Sequence, residues 1–338
     1  MFVSEDNSIT CDSLESFLHL ILNAKNDDIR RSTHLYYRGE SVYHQYLVPN
    51  LYLDEGLTTK SSEYYYRMLL SQLGSADYNR SSDLFRQMYE LQHHGAKTRM
   101  LDISTNPLIA LYFAVENYSS GKSDNGYVYV FGSYHKEDRP DTNAEHFDVG
   151  HTVAVKTALN LIPQDKINEF MLTCRSICSR ISRTDWGQLR YKSIDSLPIN
   201  SDEFIVIMSF MDILNQRAKT SEELVFPFKI YKELQLAHIV IPSMCTDRIK
   251  MHQGAFILPK YVITGGETMD SIQKEIDRSV STLSASIYSP EGKMINVIKI
   301  PGDKKEAIKR DLAHIGISEG FVYPDIEHRS NELLDTNF

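Results

Sequence analysis

Apolar and polar positions change rhythm along this 338-residue chain, and the changes mark out its elements. In DSLESFLHLILN (12–23) the apolar residues recur at helical spacing behind Asp12 or Ser13, which predicts a capped amphipathic helix. A strand is expected through 34–38, and QYLVPNLYL (45–53) reads as extended or turn-like around Pro49. Ser61 or Ser62 opens a helix running to about Gln72. A second helix begins at Ser81 or Ser82, runs through LFRQMYELQHH and stops at Gly95, a residue suited to a C-cap. Thr105 or Asn106 followed by Pro107 opens a third, PLIALYFAVENY, whose apolar residues cover almost its whole circumference and so predict a central, buried helix.

Beyond residue 126 the texture shifts. GYVYVFG, FIVIMSF, LAHIVIP, GAFILP and MINVIKIP are rich in β-branched and aromatic residues and read as strands. Helices are expected at about 156–181 and 267–280, and a charged one over 303–316. Helices in the first third and strands in the rest predict an α+β fold. The polar stretch SSGKSDNG (119–126) reads as a surface loop within one domain, leaving a helical N-terminal segment (1–33), a main domain (34–330) and a tail (331–338).

Composition narrows the function. With 42% hydrophobic and 24% charged residues the chain has material for a folded core. A formal net charge of -9 argues against coating nucleic acid nonspecifically, while leaving room for a local basic pocket. Twenty tyrosines against one tryptophan supply half-buried packing or stacking surface. The four cysteines, Cys11, Cys174, Cys178 and Cys245, have no zinc-site spacing, so reduced thiols and no metal are expected. No stretch reaches the length of a membrane span and the N-terminus lacks an apolar signal core, which points to a cytoplasmic protein.

Two stretches carry the candidate chemistry. In HLYYRGE (34–40) an arginine and a glycine, Arg38 and Gly39, follow an apolar strand. Arg38 is either one half of a surface salt bridge or a bidentate anchor for a phosphate or carboxylate. In LQHHGAKTRMLDIST (91–105) polar residues alternate with Met100, Leu101 and Ile103, so one side of the run should be buried and its charges paired or engaged by ligand. Arg99 and Asp102 are the expected internal pair. Asp102 either ties this loop to the core or serves chemistry, and His94, beside Gly95, can project into a cleft.

With YRG at 37–39 and LQHHGAKTRMLDISTNPLIALYFAV at 91–115, the chain resembles the FRG domain family, named for a Phe-Arg-Gly motif. Tyr37 stands for the phenylalanine, Lys97 for a common proline and Met100 for a leucine. RIKMHQGAFILP (248–259) is similar to the family's third landmark and GISEGFVYPDI (316–326) to its closing segment, so the resemblance spans about 34 to 330.

The same landmarks resemble the wider group of ADP-ribosyltransferases. That resemblance implies a split β-sheet core, NAD as substrate, and Arg38 on its phosphates or ribose. Tyr37, Gly39, Thr98, Arg99, Ser104 and Thr105 would complete the NAD-binding set, with Arg38, His94, Asp102 and Gln253 as the catalytic group. Where those enzymes carry a glutamate on a third strand, this chain has Gln253-Gly254-Ala255. Transfer of ADP-ribose passes through an oxocarbenium-like transition state that a carboxylate stabilises, so another acid must supply the charge. Glu40, Glu116 and Glu233 are candidates, and Asp102 is preferred because it shares the run with His94 and Arg99. Gln253 either positions a ribose hydroxyl or merely bonds to a neighbouring strand.

The resemblance implies mono-ADP-ribosyl transfer to a protein or nucleic acid, in a toxin of a toxin–antitoxin or anti-phage system with a possible antitoxin partner. Arg30, Arg31, Lys97, Arg99 and the tyrosines, Tyr64 to Tyr66 among them, tilt the expected acceptor slightly toward RNA or DNA; the overall acidity tilts it back toward protein. An NAD glycohydrolase, a catalytically inactive nucleotide- or partner-binding module, and a nuclease using His93 or His94 are the rivals.

Overall fold

The computed structural model describes residues 7–24, 32–72, 81–116, 124–134, 145–181, 187–197, 199–243, 247–324, 330 and 334. Its centre is an eight-stranded mixed sheet with the order β1-β10-β4-β2-β3-β7-β6-β5. The strands are β1 (Ser8–Thr10), β2 (Ser32–Glu40), β3 (Leu101–Ser104), β4 (Gly126–Tyr134), β5 (Glu145–Phe147), β6 (His238–Ile241), β7 (Gly254–Leu258) and β10 (Val297–Ile300). A small hairpin, β8 (Ile287–Tyr288) with β9 (Met294–Ile295), lies outside it. Among the described residues only the two edges, β1 on β10 and β5 on β6, pair in parallel. The architecture is α+β, as expected.

The helices are α1 (Leu14–Asn23), α2 (Glu55–Thr59), α3 (Glu63–Gln72), α4 (Ser81–His93), α5 (Pro107–Val115), α6 (His151–Ala158), α7 (Gln164–Ser179), α8 (Ser201–Ala218), α9 (Pro227–Leu234), α10 (Asp247–His252), α11 (Met269–Ser281), α12 (Lys305–His314) and α13 (Glu319–Val322). Alternation along β4 explains how they cover the sheet. Tyr127, Tyr129 and Phe131 enter one core with residues of α3, α4 and α11. Val128 and Val130 enter another with α1, α5 and α12. A third core is mostly helical and gathers α6 to α9, with Ile162, Leu224 and Tyr261 added from connecting segments.

That helical layer corrects the expectation of strands through the rest of the chain. FIVIMSF (204–210) is the interior of α8. Its β-branched run resembles a strand, yet Asn200 and Glu203 form a capping box, and Ile207, Phe210, Met211, Leu214 and Ala218 are buried at helical spacing. The helix expected over 156–181 is two, parted by a 3-10 turn at Leu159–Leu161 and Pro163. The N-terminal segment is not helical throughout, because β1 adds an edge strand to the sheet. Helix ends match expectation elsewhere. Ser13 caps α1, and Asn106 accepts from the amide of Leu108 with Pro107 at the first turn of α5. Gly95, with φ of 87°, closes α4 through bonds from its own amide to Gln92 and from Ala96 to Leu91.

Gly39 is explained by packing. It sits inside β2 rather than at a turn, and a Cβ there would lie 1.8 Å from the carbonyl oxygen of Ala110 and 2.8 Å from the amide nitrogen of Ala114. Gly126 on β4 meets α5 the same way, its Cβ position 2.1 Å from the Ala114 carbonyl oxygen. The two glycines and the two alanines let α5 lie directly on the sheet. Gly39→Ala is therefore expected to destabilise by about 3 kcal/mol or more, since backbone rather than a mobile side chain must move. Gly265→Ala, where nothing lies within 4 Å, should stay within about 0.5 kcal/mol of wild type. Urea unfolding of the two variants checks the difference, and equal midpoints would contradict it.

Candidate functional site

β2 pairs with β4 along most of its length but with β3 at one residue pair only, Tyr37 with Ser104. Where the two strands part, a cleft of about 350 Å³ opens between the ends of β2 and β3, α4, α5 and β7. Its size falls within the usual range for small-molecule sites.

Arg38 spans the parting. Its Nη1 donates to the carbonyl oxygen of Asp102 at 2.7 Å, taking the place of a ladder bond between the strands. Nε donates to Glu40 Oε1 at 2.7 Å, and Nη2 lies 2.6 Å from the same oxygen. Arg38 and Glu40 are two residues apart on one strand, so both leave it on the same face. Arg38 is therefore salt-bridged, and it also lines the cleft.

Asp102 stands at the mouth, its side chain 61% exposed against 19% for Arg38. A relay of hydrogen bonds holds it. The Asn50 amide oxygen accepts from the Thr98 backbone at 2.7 Å, the Thr98 hydroxyl donates to Gln92 Oε1, and Gln92 Nε2 donates to Asp102 Oδ2 at 2.7 Å. Asp102 Oδ2 is 4.0 Å from Arg38 Nη1. Thr98 is fully buried and acts through Gln92 rather than from the wall.

The lining brings together Tyr37, Arg38, Gly39, Asp102 and Ser104 of the expected set. Burial pushes the Tyr37 hydroxyl's pKa up. The Ser104 hydroxyl donates to the His252 carbonyl and accepts from the Asn106 amide at 2.9 Å, which ties β3 to the entry of β7. Besides Thr98, four others lie elsewhere. His94 is exposed on the turn after α4, and His93 lines the cleft instead. Arg99 does not pair with Asp102. Three residues apart in a chain entering a strand, the two leave by opposite faces; Arg99 donates to Ser62 at 3.1 Å and lies 5.7 Å over the Tyr261 ring.

Gln253 is exposed with φ of 49°, and its carbonyl accepts from the Thr105 amide at 3.1 Å. Its side-chain oxygen lies 3.3 Å from the Thr105 hydroxyl. Neither residue lines the cleft, and the contacts of Gln253 are with Thr105 at the end of β3.

Sequence reasoning missed Gln92 as the residue that holds Asp102, along with the Tyr89, Glu90 and Phe256 walls. Tyr89, Gln92 and His93 recur at i, i+3 and i+4 on α4, a signal that was present in the sequence. Four carboxylates line the cleft, Glu40, Glu90, Asp102 and Glu116, the last accepting from the Tyr323 hydroxyl. Of the basic cluster, Arg30 and Arg31 lie outside the described residues and Lys97 is 2.7 Å from Asp54. Tyr66 is buried against the Lys97 carbonyl and Tyr65 accepts from the Lys97 amide, which leaves Tyr64 exposed.

Comparison with known proteins adds one finding. Residues 33–123 match the FRG domain family. No curated protein and no solved structure matches the chain. The FRG segment runs from β2 through α5 and so contains Arg38, the Gln92–Asp102 relay and Gly39, the first of the two glycines on which α5 rests. Its match ends before β7, so the stretches at 248–259 and 316–326 lie outside it; Arg248's side chain and residues 325–326 also lie outside the described residues.

No helix among the described residues is long and apolar enough to cross a membrane. Cys11, Cys174 and Cys178 are free thiols, and Cys245 lies outside the described residues.

Thr98→Val, which keeps the shape and removes the hydroxyl, should cost about 1–3 kcal/mol by leaving the Gln92 carbonyl and the Met100 amide without it. Gln253→Gly should be neutral or stabilise by up to about 1 kcal/mol, because it relieves a left-handed backbone. Chemical denaturation of both variants checks the pair; a large loss on Gln253→Gly would return Gln253 to a structural or binding role not visible in its contacts.

Proposed function

We propose that the FRG cleft cleaves the glycosidic bond of NAD and passes ADP-ribose to an acceptor. The observation that carries this reading is the Asp102 carboxylate, held by the Thr98–Gln92 relay at the mouth of a cleft whose wall is Arg38. Arg38 would meet the diphosphate or a ribose hydroxyl with the guanidinium N–H groups that Glu40 and the Asp102 carbonyl do not use. The bond from ribose C1′ to the nicotinamide nitrogen breaks, and its electron pair goes to the ring, which leaves neutral. Positive charge develops on the ribose. Asp102 stabilises it and takes the proton of the nucleophile as that atom bonds to C1′.

An acidic rim favours a protein acceptor or water over a polyanion. Arg38 is the permanent cation among the described lining residues, and four carboxylates surround it. Of the charge and stacking features that favoured nucleic acid, Lys97, Arg99, Tyr65 and Tyr66 are engaged by partners within the chain. The toxin reading, with a cognate antitoxin, extends this proposal to biology by analogy of family alone.

A second reading, a nucleotide-binding module without turnover, is favoured by the salt bridge that matches the charge of Arg38 and by the position of Gln253 outside the cleft.

Incubation with NAD labelled in its adenylate half separates the readings: label on protein or nucleic acid marks a transferase, free ADP-ribose a glycohydrolase, and intact NAD a module. For a transferase or glycohydrolase, Asp102→Asn should lower kcat by about 10²–10³-fold with the thermal midpoint unchanged. Arg38→Ala should weaken NAD binding by roughly 10- to 150-fold, and Arg38→Lys should restore little because it lacks the fork. A folded Arg38→Ala protein that binds and turns over NAD normally would remove the cleft from the reaction.

A further inference from the structure

Away from the cleft, three side chains with metal-ligating atoms meet at the edge of the sheet, although they are distant in the sequence. His146 is the central residue of β5, Glu233 lies in the last turn of α9, and His238 opens β6. Parallel pairing of β5 on β6 brings the two histidines together, and the short connection from α9 into β6 brings the glutamate. One ligand atom from each lies within 4.8 Å of the other two, the single such group among the described residues.

The spacing within the group allows its members to approach one centre. Glu233 Oε2 is 3.2 Å from His238 Nε2. Two ligands on a tetrahedral ion with bonds of about 2.0–2.1 Å stand at nearly that separation. The rings of His146 and His238 meet edge to face, with centroids 4.7 Å apart. The Thr152 hydroxyl donates to Glu233 Oε2 at 3.3 Å and so orients the carboxylate from outside the group. His238 is 2% exposed and its Nδ1 has no hydrogen-bond partner, while its Nε2 faces both the Glu233 carboxylate and, at 3.3 Å, the Glu233 backbone carbonyl.

We propose that His146, Glu233 and His238 bind a divalent transition metal, zinc foremost, which clasps the edge strand β5 to β6 and α9. Two imidazoles and a carboxylate suit a borderline ion such as Zn²⁺, whereas Ca²⁺ and Mg²⁺ require oxygen ligands throughout. Three protein ligands leave a fourth position for water. None of the three residues lines the Arg38 cleft, so the site is independent of the NAD reading. One neighbour works against it. Lys156 is buried nearby, its ammonium donating to the carbonyls of Leu236, Leu258 and Pro259, and its charge lowers the affinity for a dication.

The test uses the full chain, stripped with a chelator and titrated with Zn²⁺, and with Co²⁺ as an absorbing probe. The expected result is one equivalent bound, a higher thermal midpoint, and Co²⁺ ligand-field bands without a thiolate charge-transfer band. His146→Gln and Glu233→Gln should each keep the wild-type circular dichroism and bind more than about ten-fold more weakly. No binding up to millimolar metal would overturn the proposal. So would equal binding by wild type and both variants, or a thiolate spectrum, since either places the metal elsewhere.

Discussion

Helix α5 lies on the sheet at a distance that only glycine permits, and the cleft follows from that contact. The carbonyl of Ala110 and the backbone of Ala114 fill the space where side chains of residues 39 and 126 would stand. The same helix, begun by Asn106 directly after β3, anchors the end of that strand. With β2 pinned by α5 and β4, and β3 drawn to β7, the two central strands share one residue pair and then diverge. A regular ladder at this place would have closed the opening that Arg38, Asp102 and Phe113 now line.

The opening leaves polar groups that a closed ladder would have paired, and Arg38 takes up part of that role. Its fork satisfies the Asp102 carbonyl and binds Glu40, so the residue stabilises the parting as well as lining it. Its partial exposure discounts the ion pair's worth to stability, and the geometric effect matters more. The guanidinium is held in one orientation before any ligand arrives, which reduces the ordering cost of binding. The relay from Asn50 through Thr98 and Gln92 does the same for the Asp102 carboxylate.

Much of this was legible in the sequence, for reasons that are local. Capping residues are read within one turn, so Ser13, Gly95, Asn106 and Pro107 marked real helix ends. The apolar circumference of α5 announced a central helix. The two stretches singled out for chemistry do meet in the structure, where Tyr37 pairs with Ser104. What failed was decided by longer-range facts. FIVIMSF has strand-like residues, yet its burial follows the helical period of the whole 201–218 segment. Arg99 and Asp102 are close in sequence but leave the chain on opposite faces. Between the two roles left open for Gln253 the sequence had no means to choose, because its direction is set by a left-handed backbone after α10. The gathering of His146, Glu233 and His238 depends on sheet topology and carries no spacing signal.

The central claim is that NAD occupies the cleft where β2 and β3 part. Hydrogen–deuterium exchange with saturating NAD tests it most directly, performed on the Asp102→Asn protein so that the ligand is not consumed. The account predicts slowed exchange at 36–41, 89–93 and 102–116, with the helical layer over 151–234 unchanged. Protection confined to that layer, or none anywhere at saturation, would contradict it.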